Sequence, residues 1–163
     1  MSALTTLLLK LPRNTEVTPE AAKTFLAALT QINSVTFMQK LMGTKPLALS
    51  LEIASVNQQI QFLITCDPEL VPFVTTQLQS NYPLVIMEKT TDPLEGKDFE
   101  VKELTLSKGN FYPVGTYDKF TDVDPLASVL SVLSKAEPTE MILVQFALES
   151  TGNGWQSAGA SYA

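Results

Sequence analysis

Residues 47–66, with the sequence LALSLEIASVNQQIQFLITC, decide the fold. Apolar side chains alternate with polar ones through both halves of this stretch, at Leu47, Leu49, Leu51, Ile53, Ile60, Phe62 and Ile64. A period of two is that of a β-strand, so the stretch predicts two strands joined by a turn at residues 55–58. Because Ser50 and Glu52 occupy the second face, the pattern predicts an antiparallel hairpin whose sheet is covered on one side only.

The sequence on either side of this hairpin predicts one strand and one helix in each direction. Upstream, residues 5–11 form an apolar strand, and a helix begins after Thr18, a good N-cap, with Pro19 at its first position. Downstream, Asp67 and Pro68 repeat that helix start before another short strand. The order strand, helix, strand, strand, helix, strand is the ferredoxin-like βαββαβ arrangement. We therefore expect an α+β, ferredoxin-like sandwich with an antiparallel sheet covered by helices on one face.

The second half of the chain predicts a smaller unit that echoes the first. A polar linker at residues 90–97 precedes a strand at residues 99–106, a helix that starts at Asp124 and Pro125, and a strand at residues 141–148. The last strand, MILVQFAL, is almost unbroken in its apolar character, which is typical of a well-buried strand. The repeated strand, helix and strand are either a true duplication or a coincidence of pattern.

These elements divide the chain into three parts. We expect a ferredoxin-like unit at residues 1–90 and a second, partial strand-helix-strand unit at residues 98–150, packed with the first. Residues 151–163 are rich in small side chains and are expected to be a C-terminal tail truncated from a longer protein.

The composition excludes several classes of function. The 163 residues carry 11 Lys and Arg against 17 Asp and Glu, so the positive field that nucleic-acid binding requires is missing. Histidine is absent, which removes the commonest general base and transition-metal ligand. The single cysteine, Cys66, follows an apolar run and is expected to be a small buried hydrophobe. No apolar run approaches the roughly 20 residues of a membrane-spanning helix.

No group of residues predicts a catalytic, cofactor or metal site. Asp118, Asp122 and Asp124 are close enough in sequence to bind Ca²⁺ or Mg²⁺, but their spacing is not that of an EF-hand. A solvated loop and a helix cap explain them. The glycines after residue 150 lack the dinucleotide-binding spacing, and no phosphate-binding loop pattern occurs in the chain.

A cluster of aromatic residues gives the best candidate interface. Four aromatic residues crowd into the predicted loop NFYPVGTYDKF, and a fifth lies in the tail: Phe111, Tyr112, Tyr117, Phe120 and Trp155. Loop aromatics either fill the core or anchor a contact with a partner, and both readings stay open from the residues alone.

Three motifs carry a resemblance to a known family. They are PRN-x(4)-PEAA at residues 12–22, YP-x(3)-Y-x(2)-F with the following VDPLA at residues 112–127, and GW-x(2)-AG at residues 154–159. With the apolar strand before the last motif, the chain resembles the N-terminal region of conjugative DNA transfer ATPases of the type IV secretion class, which are HerA-like. The resemblance covers most of the chain and attaches no catalytic role to any residue.

The resemblance implies a function without catalysis in this part of the protein. A motor domain with its phosphate-binding loop is expected to follow, and this region is then a docking or assembly domain at the cytoplasmic face of the membrane. Its expected partners are proteins or the rest of its own chain, with no direct contact to nucleic acid and only an indirect one to the membrane. The alternatives are a stand-alone ferredoxin-like protein that binds a small molecule near Cys66, Tyr82 and Lys89, and a homo-oligomer built by edge pairing.

Overall fold

The alternating stretch forms the predicted hairpin in a computed structural model of the chain. Its strands, β2 (Leu49–Val56) and β3 (Gln59–Cys66), pair antiparallel along their full length. Asn57 and Gln58 form the turn with φ angles of 50° and 59°. Two consecutive left-handed residues are typical of a type I′ turn, whose twist matches that of the flanking strands.

The structure describes residues 4–13, 17–32, 38, 41–108, 126–150 and 154–161. The remaining strands are β1 (Thr5–Lys10), β4 (Ile86–Thr90) and β5 (Ile142–Leu148). The helices are α1 (Pro19–Leu29), α2 (Val71–Asn81), α3 (Ala127–Leu133) and α4 (Gly154–Ala160), and a 3₁₀ turn, Pro68–Leu70, precedes α2.

The strands form one five-stranded antiparallel sheet in the order β4-β1-β3-β2-β5. The helix α1 connects β1 to β2, and α2 connects β3 to β4, so each connection crosses over one strand of the sheet. The fold is therefore α+β with an antiparallel sheet, as the sequence predicts. The added strand β5 pairs with β2 and joins the second half of the chain to the same sheet.

The main hydrophobic core lies between the sheet and the two helices α1 and α2. Apolar residues of all these elements form one buried cluster: Phe25, Leu29, Leu49, Ile64, Cys66, Leu70, Val74, Leu78 and Val85. The strand members share one face of the sheet, because Leu49 pairs with Cys66 and Leu51 with Ile64. Both helices therefore cover the same face.

Two of the three predicted helix starts are at the expected positions, but neither makes a side-chain cap, and the third, at residues 124–125, lies outside the described residues. Thr18 is the extended N-cap residue before Pro19, and its hydroxyl makes no capping hydrogen bond. Asp67 precedes the 3₁₀ turn, and its carboxylate accepts the backbone N–H of Ala48 at 2.6 Å. That hydrogen bond joins the end of β3 to the segment that precedes β2, so Asp67 stabilises the sheet and does not cap the helix.

Two predictions for the second half of the chain are wrong. Residues 99–106 form no strand, and their side chains are exposed. The apolar positions change phase at Lys102 and Glu103, so no single face of a strand would bury them all. The strand β5 forms as predicted but is not well buried, because it lies at the edge of the sheet, with Phe146 and Leu148 exposed. The division into units at residues 1–90 and 98–150 stays a prediction.

Candidate functional site

The predicted aromatic interface falls outside what the structure describes. Phe111, Tyr112, Tyr117 and Phe120 are not among the described residues, nor are the three aspartates at positions 118, 122 and 124. Trp155 belongs to α4 by its backbone, and its side chain is not described. Whether these residues form a contact surface stays a prediction.

The three residues proposed for a groove near Cys66 lie in different environments. Cys66 is fully buried in the core, as predicted, and burial together with the neighbouring Asp67 carboxylate raises the pKa of its thiol. Tyr82 packs against the same core, and burial raises the pKa of its phenol. Lys89 is exposed on the edge strand β4. A neutral buried thiol is a poor nucleophile, so the contribution of Cys66 that the structure shows is packing in the core.

The second face of the sheet, predicted to be wet, is buried at its centre. Glu52 is only 4% exposed, and Thr6, Ser50 and Thr65 are buried beside it. These four residues form the polar cluster. They are neighbours in the sheet, since Thr65 pairs with Thr6 on one side and with Ser50 on the other. The apolar and polar alternation in the sequence correctly predicts which residues lie on each face of the sheet. It does not predict whether other elements cover the second face.

Hydrogen bonds satisfy the buried carboxylate of Glu52 without a cation. The Ser50 hydroxyl donates to Oε1 at 2.6 Å, and the Thr65 hydroxyl donates to Oε2 at 3.3 Å. The side-chain amide of Gln145, on β5, donates to Oε1 at 2.9 Å. Thr6 and Thr65 join their hydroxyls at 3.0 Å and extend the network to β1. Together with Gln145, the polar cluster therefore links four of the five strands through side chains on one face.

Sequence reasoning missed this cluster, although one signal was present. Gln145 is the one polar residue in the run MILVQFAL, and it lies directly opposite Glu52 in the paired strands. A lone amide inside an apolar strand predicts a buried hydrogen-bond partner, because an unpaired amide is costly to bury. Glu52, the one charged residue of β2, is the acceptor that such a signal would have identified.

A cleft of about 440 Å³ opens beside the polar cluster. It lies where β2 begins and where β3 and β5 end, and both polar and apolar side chains line it. Ser50, Thr65 and Gln145 supply the polar part of the lining, and Leu47, Leu49 and Leu148 supply much of the apolar part. A cleft of this size holds a small organic molecule.

Residues 98–107 lie outside the sheet and combine exposed polar and apolar side chains. Among the described residues, this segment makes no hydrogen bond or ion pair, and its four large apolar side chains are exposed: Phe99, Val101, Leu104 and Leu106. Leu104 is 95% exposed and Val101 is 70% exposed. We call residues 98–107 the free segment. Ten consecutive residues without backbone hydrogen bonds to the described part of the chain, with apolar side chains in two short alternating pairs, have the character of a strand that lacks a sheet.

The two edges of the sheet differ in how they are protected. Edge strand β4 has five residues and carries Glu88, whose carboxylate pairs with Lys10 at 2.6 Å. Edge strand β5 has seven residues and no charged side chain. Charged side chains and short length are the usual protection of a sheet edge against pairing with another chain. The β5 edge has neither.

The described residues contain neither a cluster of potential metal ligands nor a candidate membrane-spanning helix. No group of three or more His, Cys, Asp or Glu side chains in that part is placed to hold a metal ion. No helix in the described ranges is both long enough and apolar enough to cross a membrane. Compared with protein-family models, curated proteins and solved structures, the chain has no significant match in any of the three.

Proposed function

We propose that the chain is a non-catalytic docking domain, of the kind that conjugative transfer ATPases of the type IV secretion class carry at their N-terminus. It acts in the cytoplasm, at the cytoplasmic face of the membrane, and its partners are proteins. The observation that carries the docking role is the free segment, because exposed apolar side chains on an unpaired strand-like stretch favour addition to another sheet. The three sequence motifs support the assignment to this class of ATPase.

The topology supports the finer fold assignment in this proposal. The first four strands have the order β4-β1-β3-β2, all antiparallel, with one helix between β1 and β2 and another between β3 and β4. This is the strand order of a ferredoxin-like βαββαβ sandwich. We propose that residues 1–90 are such a unit and that β5 is an addition to its β2 edge.

The chemistry of the buried groups also favours a role without catalysis. The Cys66 thiol is buried with a raised pKa, and the Glu52 carboxylate has three donors from the protein itself. Groups that are satisfied inside the fold stabilise it, whereas a catalytic base needs a free acceptor directed at its substrate. The docking role therefore agrees with how the polar side chains are used.

Site-specific photo-crosslinking in cells tests the docking role. A photoreactive amino acid replaces Val101 in the free segment or, as the control, Leu41, an apolar residue that is 73% exposed elsewhere on the chain. We expect a strong adduct from position 101, a weak one from position 41, and identification of the adduct by mass spectrometry as a protein. A partner with a phosphate-binding loop supports the transfer-ATPase context. Equal or absent labelling at both positions contradicts the docking role.

Small-molecule binding is the second candidate, and the cleft beside the polar cluster favours it. Its walls combine three hydrogen-bonding side chains with apolar surface, the usual composition of a ligand site. A thermal-shift screen of metabolites tests it. A ligand that raises Tm by several degrees in the wild type, and not in Gln145→Leu, supports this candidate. A screen without such a shift rejects it for the compounds tested.

A further inference from the structure

We infer that the partner of the free segment is the β5 edge of a second copy of this chain. The inference rests on the proposed docking function and names the surface that receives the segment. In this arrangement, residues 98–106 of one copy add to β5 of the other as a sixth strand. The reciprocal exchange gives a closed dimer, because each copy contributes one segment and one edge.

The two elements match in length. A strand extends about 3.4 Å per residue, so the seven residues of β5 span about 24 Å and residues 98–106 span about 30 Å when extended. The segment therefore reaches along the whole free edge. The β4 edge is a poorer acceptor, because it is shorter and carries the Lys10–Glu88 ion pair.

The two elements also match in chemistry. The backbone of β5 is paired on its β2 side alone, and no further backbone hydrogen bond of this strand occurs within the described ranges. Phe146 is 54% exposed on the same strand. In an extended strand Phe99 and Val101 lie on one face and Leu104 and Leu106 on the other, so each face of the incoming segment brings two apolar side chains to the contact. Both chains lose exposed apolar area in the same contact.

The geometry favours a second copy over pairing within one chain. The Lys97 ammonium lies 3.7 Å from the Met141 sulfur, so the free segment starts beside the residue that precedes β5. Because the segment and β5 start at the same end, the segment could pair with its own β5 only as a parallel strand. Antiparallel pairing within the chain would need a loop that reverses its direction. Parallel pairs are less stable than antiparallel ones, and all four strand pairs of the described residues are antiparallel. A second copy can approach from the opposite direction and pair antiparallel.

Light scattering coupled to gel filtration, over a wide range of protein concentration, tests the inference. We expect the wild type to shift from monomer to dimer as concentration rises. Leu104→Asp and Phe146→Asp each raise the dissociation constant about tenfold or more, because they place a charge in the paired strands. Leu41→Asp is the matched control and leaves the dimer unchanged. Circular dichroism confirms that each variant is folded.

Disulfide trapping identifies the two surfaces in contact. Chains with Val101→Cys and Phe146→Cys are made separately, mixed and oxidised, with native Cys66 protected by its burial. We expect a mixed disulfide dimer from this pair, and none when Met42→Cys replaces Val101→Cys. A monomer in which both cysteines, placed on one chain, join internally overturns the inference in favour of pairing within the chain.

The outcomes separate this inference from the docking function on which it rests. A chain that is monomeric at every concentration, while position 101 still crosslinks to a different protein in cells, overturns the inference and leaves the docking function supported. A monomeric chain whose position 101 crosslinks nothing overturns both. A dimer that Leu104→Asp and Phe146→Asp do not weaken also overturns the inference, because its interface then lies elsewhere.

Discussion

Replacement of Glu52 by alanine is expected to destabilise the fold by about 3 kcal/mol. The carboxylate accepts hydrogen bonds from Ser50, Thr65 and Gln145, and bonds to a charged acceptor contribute about 1.5–3 kcal/mol each. Burying a charged carboxylate also costs several kcal/mol of desolvation free energy. The alanine variant avoids this cost, which offsets part of the loss of the hydrogen bonds. Two of the donors also have other hydrogen-bond partners in the variant. The Thr65 hydroxyl still bonds to the Thr6 hydroxyl, and the Ser50 hydroxyl lies 3.3 Å from the Thr65 carbonyl oxygen.

Glu52→Gln separates the hydrogen bonds from the charge. Glutamine has the same shape and keeps an oxygen for Ser50 and Gln145, while its amide donates to the Thr65 hydroxyl, which can turn its own proton toward Thr6. We therefore expect a loss of about 1 kcal/mol or less, because every group in the polar cluster still has a partner. Glu88→Ala, which removes an exposed ion pair, is the control for loss of a carboxylate at the surface.

Urea unfolding, followed by circular dichroism and fluorescence, measures these differences. The free energy of unfolding comes from linear extrapolation, and an unchanged slope shows that the variants unfold from the same folded state. A double-mutant cycle with Gln145→Leu isolates the bond from β5, for which we expect a coupling of about 1 kcal/mol or more. Two results refute the reasoning: Glu52→Ala within about 1 kcal/mol of the wild type, or Glu52→Gln as damaging as alanine.

Three further predictions concern single residues: one with a positive φ angle, one with a buried hydroxyl and one with a raised pKa. Gln58→Gly should stabilise the protein by about 1 kcal/mol in the same unfolding assay, since Gln58 has a φ of 59° that glycine adopts without strain. Ser55→Ala should be neutral or stabilising by up to about 1 kcal/mol, because the buried Ser55 hydroxyl has no hydrogen-bond partner in the described structure. A clear loss of stability would show that this hydroxyl has a partner. Folding should hold the Cys66 thiol neutral above its ordinary pKa, so stability should fall as pH rises through that ordinary value toward the raised one, and the fall should be absent in Cys66→Ala.

The local features of the fold could be predicted because their causes lie close together in sequence. The hairpin follows from alternation on both sides of a short turn, and Asn57 suits the left-handed conformation that the turn requires. The helix α1 begins at Pro19 because proline fits a first turn and nowhere else in a helix. Each of these signals needs only a few neighbouring residues to act.

The features that could not be predicted depend on contacts across the fold. The run at residues 141–148 indicates a strand, but its hydrophobicity does not reveal whether it lies at the centre or the edge of a sheet. Residues 99–106 have the composition of a strand, yet a strand also needs a partner with free backbone groups. The burial of Glu52 depends on what covers the second face of the sheet. The predicted aromatic interface cannot be compared with the structure, because its side chains are not described.

The polar cluster and the proposed docking edge are connected through β5. Glu52 lies directly opposite Gln145 in the paired strands, and their hydrogen bond exists only in that register. A slip of one residue between β2 and β5 would move Gln145 to the other face of the sheet and break its hydrogen bond to Glu52. The pair therefore strongly favours one register. The register in turn decides which β5 side chains face each side of the sheet at the free edge. The Glu52–Gln145 hydrogen bond therefore determines the surface that an incoming strand meets, and weakening it by Gln145→Leu should loosen docking even though this residue need not touch the partner.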